Sequence, residues 1–138
     1  MYLIDTNVIS EIRKKNKANP GVRKFFKNVR ENDNRLFLSV ITIGELRRGV
    51  ELIRNRGDKK QARMLDKWLD EILDNYSDAI LDFSITESQV WGKLRAPHHE
   101  NAIDKQIAAT ALAYGLTVVT RNTADFERTG VKLFNPFE

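Results

Sequence analysis

Four carboxylates stand where this chain could do chemistry: Asp5, Glu45, Asp104 and Asp125. Asp5 directly follows the apolar run Tyr2-Leu3-Ile4. Glu45 lies just past Leu36-Phe37-Leu38-Ser39, at the start of a helical pattern, and Asp125 just past Thr117-Val118-Val119. Asp104 opens the apolar stripe Ile103, Ile107, Ala108, Ala111 and Leu112. Carboxylates gathered in a partly dry site repel one another and require protons or a cation. There is no cysteine, which removes thiolate ligands and disulfides. The adjacent His98 and His99 cannot share a helix face as metal ligands would, and they read as exposed loop residues. Hard oxygen donors of this kind favour Mg²⁺, with Mn²⁺ a possible substitute. A divalent cation held by acids suits phosphate chemistry, because it polarises a phosphoryl oxygen, stabilises a leaving oxygen and acidifies a bound water.

Each acid also has a purely structural explanation. Thr42-Ile43-Gly44-Glu45 has the form of a capping box. Asn101 to Asp104 and Asn122 to Asp125 repeat that spacing, and an acid in a first turn is favoured by the helix dipole. Asp5 could cap a helix beginning at Thr6-Asn7. Capping does not explain why so many acids should meet at one rim.

The surrounding pattern supplies that rim. Short apolar runs at Tyr2-Leu3-Ile4, Leu36-Phe37-Leu38, Ala79-Ile80-Leu81, Thr117-Val118-Val119 and Val131 to Phe134 read as strands, the last stopped by Asn135-Pro136. Between them, Ile43, Leu46, Val50 and Ile53, and then Ala62, Leu65, Leu69, Ile72 and Leu73, recur at helical spacing. Gly57-Asp58 divides these two helices into a hairpin, and Gly115 stops the Ile103–Leu112 stripe. This alternation predicts an α/β domain with a mainly parallel sheet, and such sheets bind ligands beyond the carboxyl ends of their strands. Asp5, Glu45 and Asp125 then share one rim, and Asp104 joins them if its helix packs beside the first strand.

The net charge is +4 over 138 residues. Cations crowd Lys14 to Arg30 and Arg47 to Arg63, while Asp66 to Asp82 is rich in acids. A basic flank beside an acidic centre can hold the phosphates next to a reacting one. Arg47, Arg48 and Arg121 are the candidates for such phosphate contacts, with surface solvation or an internal ion pair as the alternative. Thr6, Asn7, Thr120 and Asn122 are placed to fix carboxylate rotamers by hydrogen bonding. Trp68 and Trp91 read as core or interface anchors rather than base-stacking platforms. The aspartate at position 5 interrupts any signal-peptide core, and no run approaches a membrane span. The absence of cysteine permits a reducing cytoplasm, the expected location. No linker or repeat divides residues 1–138.

Leu3-Ile4-Asp5-Thr6-Asn7-Val8-Ile9-Ser10-Glu11 resembles the opening strand and helix of PIN-domain nucleases, and especially the VapC toxins of type II toxin–antitoxin pairs and their FitB-like relatives. Ser39 to Gly49, Ile103 to Leu112 and Val118 to Phe126 resemble that family's further motifs, in the same order, and Asn135-Pro136-Phe137 its ending. The resemblance spans the chain. It implies a single PIN domain over residues 1–138, an α/β/α sandwich with a sheet of about five strands, and Mg²⁺-dependent endonucleolytic hydrolysis of RNA. Asp5, Asp104 and Asp125 would hold the metal, and Glu45 would orient water or bind a second ion. A homodimer and an inhibitory cognate antitoxin are implied with it. Lys105 departs from the small residue common after the third-motif aspartate, where it could alter how substrate or antitoxin approaches, and Ala96 to Asn101 replaces a glycine-containing loop. Two other readings compete. A catalytically inactive PIN-like protein binding RNA or antitoxin would not need all four acids. A Mg²⁺-binding receiver-like signalling domain fits the Glu45 and Asn122–Asp125 positions poorly.

Overall fold

Side-chain alternation along short strands decides the layers. Successive strand residues face opposite sides of a sheet. Leu3 belongs to one buried cluster and Ile4 to another, and Val118 and Val119 divide in the same way. The computed structural model describes all 138 residues and builds on this alternation a five-stranded sheet. Its strands are β1 (Tyr2–Ile4), β2 (Leu36–Ser39), β3 (Ile80–Leu81), β4 (Thr117–Val119) and β5 (Leu133–Phe134). The order is β3-β2-β1-β4-β5 and every pairing is parallel. The third and fifth strands are shorter than the sequence pattern suggested, beginning at Ile80 and Leu133.

One face is covered by α1 (Thr6–Ile12), α2 (Pro20–Glu31), α3 (Val40–Asn55) and α4 (Lys59–Asn75). Val8, Ile9, Phe25, Phe26, Leu46, Val50, Leu69 and Ile72 pack there around Ile4, Leu38 and Val119. The other face is covered by α6 (Ala102–Tyr114), with α5 (Ile85–Arg95) against it. Ile107, Ala108 and Ala111 meet Leu3, Val118 and Phe126 on that side. The result is the expected α/β/α sandwich.

Local chemistry fixes the helix ends. Asp58 accepts the Gln61 amide beside Gly57, whose φ is +94°, and this turns α3 back into α4. Asn19 caps α2, which carries Pro20 at its first turn, and Ser84 and Glu87 form a reciprocal capping box on α5. At α3 the expected box from Thr42 to Glu45 does not form. The strand runs straight into the helix, Ser39 accepts the Ile41 amide at 3.0 Å, and Thr42 becomes the third helical residue. Its hydroxyl is fully buried without a hydrogen-bond partner.

The C-terminal segment closes the structure against α2. A Cβ added at Gly21 would lie 2.1 Å from the Pro136 carbonyl oxygen, so only glycine lets the tail approach this closely. Gly49, inside α3, has nothing within 4 Å of such an atom. Gly21→Ala should therefore destabilise the protein by about 1–3 kcal/mol through displacement of the tail. Gly49→Ala should stabilise it by up to about 1 kcal/mol through helix propensity. Denaturant unfolding of the pair measures both signs.

Candidate active site

The sheet order places a topological switch between β1 and β4, where chain connections leave in opposite directions and a crevice opens at the carboxyl ends. Asp5 follows β1 there. Its amide donates to the Val119 carbonyl at 3.0 Å, and its carboxylate accepts the Thr6 amide at 2.9 Å as the cap of α1. The Thr120 hydroxyl, buried at the end of β4, donates to Asp5 Oδ2 at 2.8 Å. Asn7 Nδ2 reaches the same oxygen at 3.4 Å and Thr120 Oγ1 at 3.3 Å, while Asn7 Oδ1 accepts the Arg121 amide at 3.1 Å. The Asn122 amide donates to Thr120 Oγ1 at 3.0 Å. A hydrogen-bonded lattice thus fixes one carboxylate, and its members are the four polar residues read from the sequence.

Asp5, Thr6, Asn7, Glu45, Asp104 and Asn122 line one cleft of about 250 Å³, with Ile103 and Ile107 as its apolar wall. Three of the four acids therefore share a cleft. Asp125 is exposed in a 3₁₀ stretch, Thr123–Thr129, rather than at an α-helix start, and it lines the adjoining cleft. Its charge nevertheless acts on both Asp5 and Asp104. Burial raises the Asp5 carboxyl above its ordinary value. The Thr120 and Thr6 hydrogen bonds oppose that rise, and the Asp125 and Glu45 charges add to it. Burial, and behind it the charges of Asp5 and Asp125, push Asp104 up to about 6.

The donors are hard oxygens, and their mutual repulsion is what a divalent cation relieves. No group of three or more acids closes on a single point by itself, so an ion here would keep part of its water shell, as Mg²⁺ usually does. The orphaned Thr42 hydroxyl lies one helical turn before Glu45 on the same face of α3. The residues present fit a hydrated divalent cation.

The cationic candidates divide. Arg47 is taken up between α3 and α4, bonding Asp66 at 2.7 Å and Glu51 at 3.4 Å, while Arg54 bonds the same two acids. Neither Arg48 nor Arg121 makes an ion pair. Lys105 lines the cleft that also holds Asp125. It is buried, and its ammonium donates to the Glu100 carbonyl of the preceding loop. His99 is exposed as expected, whereas His98 is half-buried with Nδ1 3.1 Å from Arg128. Trp91 is half-buried and donates to the Ala102 carbonyl at 3.0 Å, joining α5 to α6. Trp68 is half-buried against the first cluster.

The chain is an all-parallel α/β/α domain with acids at its β1–β4 switch point, and it belongs to the PIN domain family, whose model matches residues 2–132. It is 36% identical to Toxin FitB of Neisseria gonorrhoeae over 142 residues, covering 99% of each chain. It is 32% identical to VapC ribonuclease Y4jK of Sinorhizobium fredii over 143 residues, covering 100% of this chain and 99% of that one. Among solved structures, the crystal structure of FitAcB from Neisseria gonorrhoeae matches with a TM-score of 0.85 and 35% identity, over 100% of this chain and 99% of that one. Dependence on a divalent cation is general among PIN-domain ribonucleases. No helix is long and apolar enough to cross a membrane.

A raised carboxyl pKa means that the folded chain takes up protons the unfolded chain does not. The contribution of Asp104 is therefore favourable below its ordinary value of 3.8 and is lost as pH rises through about 6. Without divalent ions, Asp104→Asn should melt above wild type at pH 7.5, and the gap should close towards pH 5. Saturating divalent cation should reverse the order at pH 7.5, because only the ionised wild-type site gains from it. Calorimetric melts with and without chelator read this; a gap indifferent to pH would contradict it.

Proposed function

We propose that this chain is the toxin of a type II toxin–antitoxin pair, an endoribonuclease that hydrolyses RNA phosphodiester bonds with Mg²⁺, Mn²⁺ serving as a substitute. The observation that carries this reading is the carboxylate of Asp5, buried and locked by Thr120 and Asn7, in one cleft with Glu45 and Asp104. Asp5 and Asp104 would hold the ion directly, and Asp125, from the neighbouring cleft, through water. When bound, the ion would supply positive charge to the phosphoryl and leaving oxygens and acidify a water. Glu45, lining the same cleft, would orient that water and take its proton. Asn122 and Thr6 keep the floor of the cleft polar. Ile103 and Ile107 give the cleft its apolar lining. RNA phosphates flanking the reacting one would rest on Arg48 and Arg121, the two candidate arginines without acidic partners.

Similarity to a toxin, a VapC ribonuclease and the FitAcB structure supports the substrate and partner classes. An antitoxin would silence the site by setting a basic side chain among the carboxylates. In this reading residues 1–138 are one PIN domain, working in the cytoplasm as a homodimer. Purified protein should cleave RNA with Mg²⁺ and lose that activity in EDTA. Asp5→Asn and Asp104→Asn should each lower turnover by about 100-fold or more while remaining folded. Expression alone should arrest growth, and co-expression of a small partner encoded beside it should relieve the arrest. Undiminished cleavage in chelator, from protein freed of contaminating nuclease, would refute the reading.

A further inference from the structure

We propose that Phe137 is a positioning residue of this ribonuclease, whose ring face holds the Arg121 guanidinium in place to receive a phosphate of the RNA strand beside the acidic cleft. The inference rests on the ribonuclease reading above. Carboxylates alone repel a polyanion, so a cation must flank them. Several arginines are occupied otherwise. Arg47 and Arg54 are neutralised by Glu51 and Asp66, and Arg128 lies against His98.

Arg121 is held in a different way. Its guanidinium carbon is 3.8 Å from the centre of the Phe137 ring. A π face attracts a guanidinium without cancelling its charge and leaves the N–H edges open to a phosphate, which a carboxylate partner would not. Glu11 feels the Arg121 charge, but its own oxygens are taken by Lys14 and by the Asn19 amide. The main chain of Arg121 is tied to the site: its amide donates to Asn7, whose side-chain amide reaches Asp5 and Thr120.

The platform is itself fixed on three sides. The Thr120 amide donates to the Phe134 carbonyl at 3.0 Å, so the tail leaves the sheet from a set point. Asn135 Oδ1 accepts the Phe137 amide at 3.0 Å, and the Pro136 carbonyl rests on Gly21. The ring also packs on the first core cluster. A C-terminal aromatic so constrained holds a charged side chain still at little entropic cost when substrate arrives.

Phe137→Leu keeps apolar bulk and removes the π face, Phe137→Trp keeps the face, and Arg121→Gln removes the charge. The measurements are kcat and KM on a short RNA oligonucleotide with Mg²⁺, and RNA affinity across a salt series. Phe137→Leu should raise KM about three- to tenfold with kcat within about twofold, and flatten the salt dependence. Phe137→Trp should restore both. In an Arg121→Gln background, Phe137→Leu should add no further loss. Should the leucine variant melt below the assay temperature, Phe137→Met makes the same comparison. A wild-type KM and salt slope in the leucine variant, or a loss that persists without Arg121, overturns the proposal. If the wild-type chain neither binds nor cleaves RNA, the ribonuclease reading falls and this inference with it. Wild-type cleavage beside an unaffected leucine variant removes this inference alone.

Discussion

The hydrogen bond from Thr120 to Asp5 is the contact on which the site depends. It joins the residue after β1 to the residue after β4, and so ties a buried carboxylate to the two central strands at the point where the topology reverses. A carboxylate in such a place is costly unless it is hydrogen-bonded. The Thr6 amide, Thr120 and Asn7 supply those bonds, each from a backbone that sheet or helix pairing already holds. The other acids could come from looser positions because this one is anchored.

Asp104 shows how packing on the far face serves the same centre. Ala108, Ala109 and Ala111 are fully buried and have almost no side chain, so α6 can lie close on the sheet. That closeness brings the first turn of α6, and Asp104 with it, to the crevice at the end of β1. Lys105, one residue on, turns instead to the loop before the helix and bonds the Glu100 carbonyl beside Asn101, whose φ is +52°. The departure from a small residue at this position thus braces the loop before α6, at the cleft that Asp125 also lines.

What could be read from sequence followed distance along the chain. The central strands were legible because apolar runs such as Thr117-Val118-Val119 have few alternatives, and Asp5 was legible because it ends such a run. The parallel sheet followed from alternation. α2 was hidden because its buried face, Val22, Phe25, Phe26 and Val29, is threaded through lysines and arginines that draw attention to charge. α5 buries only Glu87 fully and offers no apolar stripe, although Ser84 and Glu87 advertise its start. The capping pattern at Thr42 misled because Ser39, three residues earlier, is as good a cap and coincides with the strand end. The partner of Arg47 could not be read at all, since Asp66 lies across a helical hairpin whose register local pattern does not specify. Asp125 follows β4 as expected, but in a 3₁₀ stretch rather than at an α-helix start, and it lines the neighbouring cleft.

The position of β1 has a consequence for the moment of synthesis. It precedes the other four strands along the chain, yet it is the middle of the finished sheet, and one of its two neighbours, β4, begins only at Thr117. A chain emerging from the ribosome can join β1 to β2 early, but Asp5 has no Thr120 until β4 has been translated. Long-range parallel pairings of this kind also form slowly. The acidic centre therefore assembles only after β4 has joined β1, and until then a nascent chain carries Asp5 without its partner. For a toxin, the order of the strands thus sets an interval between the synthesis of Asp5 and the completion of its site.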